Sequence, residues 1–195
     1  MLMVSGDLER IESGLIAGRL RCPGCGGRLA RWGQARSRNV RSAGGIERRV
    51  QPRRARCVGC GRTHVLLPDG LLLRRRDEVE VIGAALVAHA GGDGHRRIAA
   101  RLGVPAATVR GWLRRFGARV TAIAAFFTQW ALTLAPGSDP PAPTGRAVTD
   151  AVEAVGVATR AAVRRFGPGP VWARAARLTG GGLLANTSCL WLTPR

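Results

Sequence analysis

Two Cys-x-x-Cys pairs, Cys22-Pro-Gly-Cys25 and Cys57-Val-Gly-Cys60, constrain this chain more than any other feature. A glycine follows the second cysteine of each pair, Gly26 and Gly61. Glycine tolerates the positive φ that turns backbone N–H groups toward sulfur. Two such knuckles supply four thiolates, the closed tetrahedral donor set of a structural zinc site. One structural Zn²⁺ held by Cys22, Cys25, Cys57 and Cys60 is therefore the expected cofactor. A redox dithiol pair and an iron–sulfur centre are the other chemistries open to the same sulfurs. Four thiolates leave no open coordination position, so the ion's expected task is to fold a segment too poor in apolar residues to hold itself together. His64 lies four positions after Cys60 and could replace a cysteine. The set is complete without it, so a place on the surface or behind the sulfurs is expected. Cys189 stands alone in an apolar stretch and reads as a small buried hydrophobe.

Thirty-one residues separate Cys25 from Cys57, enough for a β-hairpin that folds the knuckles together. Residues 28–40 and 46–56 read as its strands, with Gly44-Gly45 as the turn. Ten arginines lie between the knuckles, with Trp32 and Asn39 among them. Alternate residues of a ribbon share a face, and a row of arginines on one face tracks a phosphate backbone. Arg36, Arg38, Arg48, Arg53 and Arg54 are the candidate contacts of this kind.

Charge supports that reading. All 31 basic residues are arginine, against 12 acids, for a net charge of +19. Residues 19–76 hold sixteen arginines and two acids, net +14; residues 77–119 carry +3, residues 120–195 carry +4 and residues 1–18 carry −2. So dense a field repels itself unless a polyanion is present. The composition points to nucleic acid more firmly than it points away from an enzyme of acidic substrates. A hydrophobic fraction of 46% excludes wholesale disorder. The first 18 residues lack a basic stretch followed by an apolar one, so a cytoplasmic, nucleoid-associated location and reduced cysteines are expected. Residues 120–135 are mostly apolar but fall short of the ~20 residues a membrane span needs. A buried helix is expected there, and no membrane partner.

From Asp77 the pattern turns helical. Val79, Ile82, Leu86 and Ala90 form one stripe, closed by Gly91-Gly92. Residues 95–102 read as a second short helix and Gly103-Val104-Pro105 as a turn. A third helix from Ala106 is expected to continue through the apolar 120–135 stretch. Residues 95–114 fit a helix-turn-helix: small Ala99 where the helices approach, Gly103 at the turn, Val109 as the buried anchor, and Ile98, Leu102, Val104 and Trp112 on the remaining core positions. Thr108, Arg110, Arg114 and Arg115 then face outward, and the leading turn with that face suits a major groove. Arg96 and Arg97 on the preceding helix complete the candidate DNA contacts. A three-helix bundle that contacts protein is the other use of this motif.

The run RCPGCGGRLARWG…RRARCVGCGRTHVLLP…VEVIGAALVAHAGGDGHRRIAARLGVPAATVRGWLRRF resembles an actinobacterial family, domain of unknown function 6431. It is also similar to the N-terminal zinc-ribbon and helix-turn-helix portions of insertion-sequence transposases. The resemblance covers about residues 20–135 and implies DNA binding with mobile-element ancestry. The nuclease of such transposases needs three spaced carboxylates for two metal ions. After Arg119 only Asp139, Asp150 and Glu153 remain, without strand patterning, so no enzymatic activity is expected.

Beyond a linker at 136–145, residues 146–166 read as a helix with acids early and arginines late. Residues 171–178 read as another, and 183–192 as an apolar end with Trp191. The expected fold is thus α+β and mostly helical: a segment 1–18, a small β zinc ribbon at 19–70, a three-helix helix-turn-helix domain with extended third helix at 71–135, the linker, and a helical tail at 146–195. The expected function is non-catalytic binding of double-stranded DNA, as a transposase-like targeting module or transcriptional regulator. A homodimer, where one forms, would use the third helix or the tail. A zinc-ribbon RNA-binding or ribosome-associated protein is the alternative, and a nuclease the remote one.

Overall fold

A computed structural model describes residues 1–137 and 139–185. The chain opens on a short strand, β1 (Leu2–Val4), and a helix, α1 (Leu8–Ile16). Asp7 starts that helix, its carboxylate accepting the backbone N–H groups of Glu9 and Arg10 at 2.9 and 3.3 Å. Strands β2 (Leu29–Gln34), β3 (Arg38–Arg41), β4 (Glu47–Val50), β5 (Arg53–Cys57) and β6 (Thr63–Pro68) follow.

The hairpin between the knuckles forms, but its arms are not the two continuous strands that residues 28–40 and 46–56 were expected to make. β2 pairs with β5 and β3 with β4, both antiparallel, in two separate ladders. Pro52 causes the interruption: without an N–H it offers only its carbonyl, which accepts from Ala35 at 2.8 Å. A single 3₁₀ turn at Ala43–Gly45 closes the inner hairpin, with Gly44 and Gly45 at φ 72° and 77°. The outer ladder grows into a four-stranded sheet of order β1-β6-β5-β2, in which β1 runs parallel to β6. Helix α1 covers it. Ile11 and Leu15 bury against Val4, Leu29, Ala55 and Leu66, together with Cys22 and Cys57. Residues 1–18, set apart by charge, thus supply a strand and a covering helix to this sheet.

Among the described residues six helices make the second half: α2 (Val79–Ala90), α3 (His95–Leu102), α4 (Ala106–Gly117), α5 (Val120–Leu134), α6 (Ala147–Phe166) and α7 (Val171–Leu178). The expected extended third helix is two helices. After Gly117 the backbone leaves helical geometry at Arg119 (φ −133°, ψ 14°), whose carbonyl then starts α5 by accepting from Ile123. The bend turns Ile123 and Phe127 inward, and α5 packs along α6. On α6, Ala151, Ala154, Val155, Ala158 and Ala162 recur at helical spacing and are buried, which lets the two helices approach closely. The tail is therefore part of the core. Ile82, Leu86, Val109, Trp112, Phe116, Ile123, Phe127, Val155, Trp172 and Leu183 belong to one buried cluster. Trp172 lies against Gly83 of α2, and Glu80 accepts the N–H groups of Trp172 and Ala173 at 3.1 Å each, capping α7. Among the described residues no helix is long and apolar enough to cross a membrane. Cys189 and Trp191 lie outside the described residues.

Sheet and helices are stapled together rather than strung on a linker. The N–H of Arg41 in β3 donates to the carbonyl of Arg76 at 2.7 Å, and the N–H of Glu78 donates to the carbonyl of Arg41 at 2.9 Å. Beside them Arg41 pairs with Asp77 at 3.5 Å, the two side chains only 11% and 2% exposed. Burial pushes the Asp77 carboxyl above its usual range, against the pull of Arg41, Arg76 and Arg75. Arg48 reaches Glu78 at 2.6 Å and Arg76 reaches Glu47 at 2.7 Å. The tip of the inner hairpin, at Gly45, lies against Gly103 between α3 and α4.

Candidate functional site

The sheet brings the four knuckle cysteines to one point. Cys57 ends β5 and Cys22 sits before β2, so the β2–β5 pairing that aligns Leu29 with Cys57 also sets one knuckle against the other. Both knuckles fold alike. The N–H of Cys22 donates to the carbonyl of Gly27, and that of Cys57 to the carbonyl of Arg62, each at 2.8 Å. Gly26 and Gly61, both at φ 71°, take the left-handed conformation that their position required.

The four sulfurs lie within 4.8 Å of one another. Cys22 Sγ to Cys60 Sγ is 3.8 Å and Cys25 Sγ to Cys57 Sγ is 3.4 Å. Four thiolates at ~2.3 Å from a common ion stand about 3.8 Å apart, so the donor set fits one tetrahedral metal ion. A side chain at Gly27 would fill the space between sulfurs: its Cβ would lie 2.9 Å from Cys57 Sγ and 3.3 Å from Cys25 Sγ. Without an ion the thiols share protons unevenly. The N–H of Cys60 helps hold Cys57 down to about 6, and the N–H of Gly24 lowers Cys22. At Cys25 the N–H of Gly27 favours the thiolate, but neighbouring Cys57 and Cys60 outweigh it and push the thiol up to about 12. Four negative sulfurs this close require a cation. His64 proves to be buried behind the cluster, its Nε2 3.3 Å from Cys22 Sγ. Its position after the second knuckle was the only signal in the sequence, and it could not separate this place from the surface.

The helix pair has a two-sided character. In α3 Ile98 and Ala99 are buried, Gly103 turns the chain at φ 63°, and Val104, Val109, Trp112, Leu113 and Phe116 are buried after it. Opposite that face Arg110 and Arg114 on α4, and Arg96 on α3, are exposed and have no partner among the described residues. Thr108 is half-buried, and Arg115 folds back to donate to the Gly111 carbonyl at 2.9 Å. Arg97 pairs with Asp93 at 3.5 Å. Helix α4 starts at Pro105 with no side chain capping its first N–H groups.

The ribbon arginines divide. Arg36 is exposed and has no partner among the described residues, whereas Arg48 is held by Glu78 and Arg53 by Glu12, the latter at 2.7 Å. Arg54 donates to Thr63 Oγ1 at 3.2 Å. Arg38 is half-buried, its Nε and Nη2 lack acceptors, and burial lowers its pKa. Of the late carboxylates, Asp150 accepts from the Thr144 N–H and hydroxyl at 2.8 and 2.6 Å, and those bonds hold its carboxyl below the usual range.

The knuckles and most of the helix pair fall within one stretch, with Arg114 and Arg115 just beyond it. Residues 22–112 match the family described as domain of unknown function DUF6431. The DUF6431 match begins at Cys22 and ends at Trp112, so it takes in both knuckles, the hairpin between them, α2, α3 and the start of α4. It supports the family expected from the sequence. Helices α5 to α7, which complete the core of the helical half, lie beyond the DUF6431 boundary. No curated protein and no solved structure matches the chain.

Proposed function

We propose that this chain is a non-catalytic, double-stranded-DNA-binding protein with one structural Zn²⁺, acting as a transposase-like targeting module or transcriptional regulator. The observation that carries the reading is the two-sided helix pair. Helix α4 buries Val109, Trp112 and Phe116 while Arg110 and Arg114, one turn apart, face outward without partners among the described residues. A helix presented this way after a tight turn enters a major groove, where guanidinium forks read guanine edges. Its uncapped first turn offers backbone N–H groups to a phosphate. Arg96 and Arg36 extend the field toward the DNA backbone, and the sheet fixes the ribbon beside the reading helix.

Zinc would be held by Cys22, Cys25, Cys57 and Cys60 and would supply charge compensation and rigidity, with no reacting role. Elemental analysis distinguishes it from iron: about one zinc per chain is expected, and well under one counts against the metal. Selection of bound duplexes from a random library tests the DNA reading. A consensus longer than a few base pairs is expected, and no enrichment would reduce the activity to general polyanion binding. Incubation of supercoiled plasmid with Mg²⁺ or Mn²⁺ should leave it uncut.

One feature favours a second reading. Trp32 is 50% exposed, with Arg56 4.7 Å over its ring. An exposed ring beside arginines suits the stacking of an unpaired base, as in RNA. Substituting both Arg110 and Arg114 with alanine separates the two: specific duplex binding falls on the first reading, and RNA affinity stays unchanged on the second.

A further inference from the structure

Alternation along β5 sorts its side chains onto two faces. Ala55, in register with Arg31 and His64, looks toward the core beneath α1, whereas Arg54 and Arg56 look the other way. On that outer face Arg56 stands in register with Ala30 of β2 and Thr63 of β6, and Arg54 with Val65. A β-bulge brings Trp32 to the same face. Arg31 opposes Ala55 and Gln34 opposes Arg53, so Trp32 and Gly33 share Arg54 as their partner, and Gly33 at φ 88° supplies the left-handed residue. The Arg56 guanidinium over the Trp32 ring, 4.7 Å from its centroid, places both side chains together.

The two faces differ in charge. On the inner one Arg31 and Arg53 are both taken up by Glu12. On the outer one the arginines rest on neutral oxygens: Arg54 donates to Thr63 Oγ1 and Arg56 Nε to the Gly61 carbonyl, each at 3.2 Å. No carboxylate of the described residues pairs with either. Trp32, Arg56 and Thr63 are exposed, and among the described residues Arg56 alone lies over the Trp32 ring. One face of the ring is therefore open, beside two positioned charges without counter-ions. An apolar partner on the ring would bury those charges unpaired. A free anion would leave the ring idle, and a duplex keeps its base faces stacked on one another. An unpaired nucleotide meets both needs, with a base for the ring and a phosphate for the guanidinium forks.

We propose that the outer sheet face seats one unpaired nucleotide, its base stacked on the open face of Trp32 and its phosphate held by Arg54 and Arg56. The seat rests on the second reading above and deepens it: it names the residues and the ligand, and it takes a nucleotide of single-stranded DNA or of RNA alike. It uses no residue of α3 or α4, so it stands or falls apart from duplex binding there.

Fluorescence titration of the zinc-loaded full chain with a short oligothymidylate, at fixed ionic strength, tests the seat. Quenching of tryptophan emission is expected. An abasic oligonucleotide of equal length and charge should bind about tenfold more weakly, the scale of one base stacked on one ring. Equal binding of the two overturns the proposal and needs no variant. Trp32→Ala should weaken oligothymidylate binding about tenfold as well, whereas Trp32→Phe keeps most of the affinity and Arg164→Ala on α6 keeps all of it. A Trp32→Ala chain that retains its zinc and binds as tightly as wild type overturns the proposal. So does an equal loss on oligothymidylate and on a blunt-ended duplex. Oligouridylate of the same length separates the sources: tighter binding of it supports an RNA strand, and tighter binding of oligothymidylate a DNA strand. Base-dependent oligothymidylate binding by a chain that selects no duplex consensus sustains the seat and removes the duplex reading. A duplex consensus without preference for the base over the abasic strand removes the seat alone.

Discussion

Gly27 borders the four-cysteine cluster without contributing an atom to it. Its missing side chain leaves room between Cys25 Sγ and Cys57 Sγ, so Gly27→Ala should force the sulfurs apart and lower metal content on elemental analysis. His64 acts from behind. Its ring nitrogen at Cys22 Sγ orients that sulfur, and His64→Ala should keep one metal per chain while weakening affinity roughly 10- to 100-fold in a chelator competition. The thiols themselves give a pH signature in the metal-free chain. Cys57 near 6, against 9.0 ordinarily, adds stability that is complete above about 9 and lost as pH falls through about 6. Cys25 near 12 runs the opposite way: its contribution is present below about 9 and lost as pH rises through about 12. Ultraviolet thiolate absorbance should therefore show an early rise near pH 6 and a last thiol ionising near 12. A single transition at the ordinary thiol value would mean that the four sulfurs separate when no ion holds them.

At the level of elements, α4 gives the sharpest test of the proposed function. Arg110→Ala should cost roughly 1–3 kcal/mol on the preferred DNA site with little change on random duplex, measured by titration on both. A uniform loss on both would make Arg110 a phosphate contact. The elements that the sequence foretold well are those whose cause is local. Gly91-Gly92 ends α2, Gly103 takes φ 63° between α3 and α4, and the glycine after each knuckle takes φ 71°, because a backbone requirement is written in the residue that meets it. What the sequence concealed depends on distant partners. β1 forms only because β6 stands beside it, and Pro52 interrupts an arm whose partners, β2 and β3, lie further back along the chain. The α4–α5 break has a weak local mark in Gly117, but its driving force is the surface of α6, where buried alanines admit Ile123 and Phe127. The knuckle cysteines were legible as a set; which arginines pair inside the protein was not, since Glu12 and Glu78 meet Arg53 and Arg48 through the fold alone.

Across the whole molecule, the staple at Arg41 and Asp77 decides how the halves respond to damage. Two separate cores would let Cys60→Ser unfold the ribbon and spare the helices. The shared backbone hydrogen bonds and ion pairs predict instead that Cys60→Ser, or removal of the metal by chelator, lowers the melting temperature of the helical signal too, followed by circular dichroism. An unchanged helical melt would show that the staple is energetically slack. Asp77→Ala leaves Arg41 buried without a counter-ion and should cost about 3 kcal/mol in denaturant unfolding. The contact of Gly45 with Gly103 has a consequence for how such proteins change over generations. The hairpin tip props the turn that aims α4, so hairpin length and helix angle are one inherited quantity. A lineage that inserts residues between Val40 and Arg48 re-aims α4 without altering a residue of it. A laboratory graft of α3 and α4 onto another hairpin would retain the outward arginines and lose the angle at which this hairpin holds them.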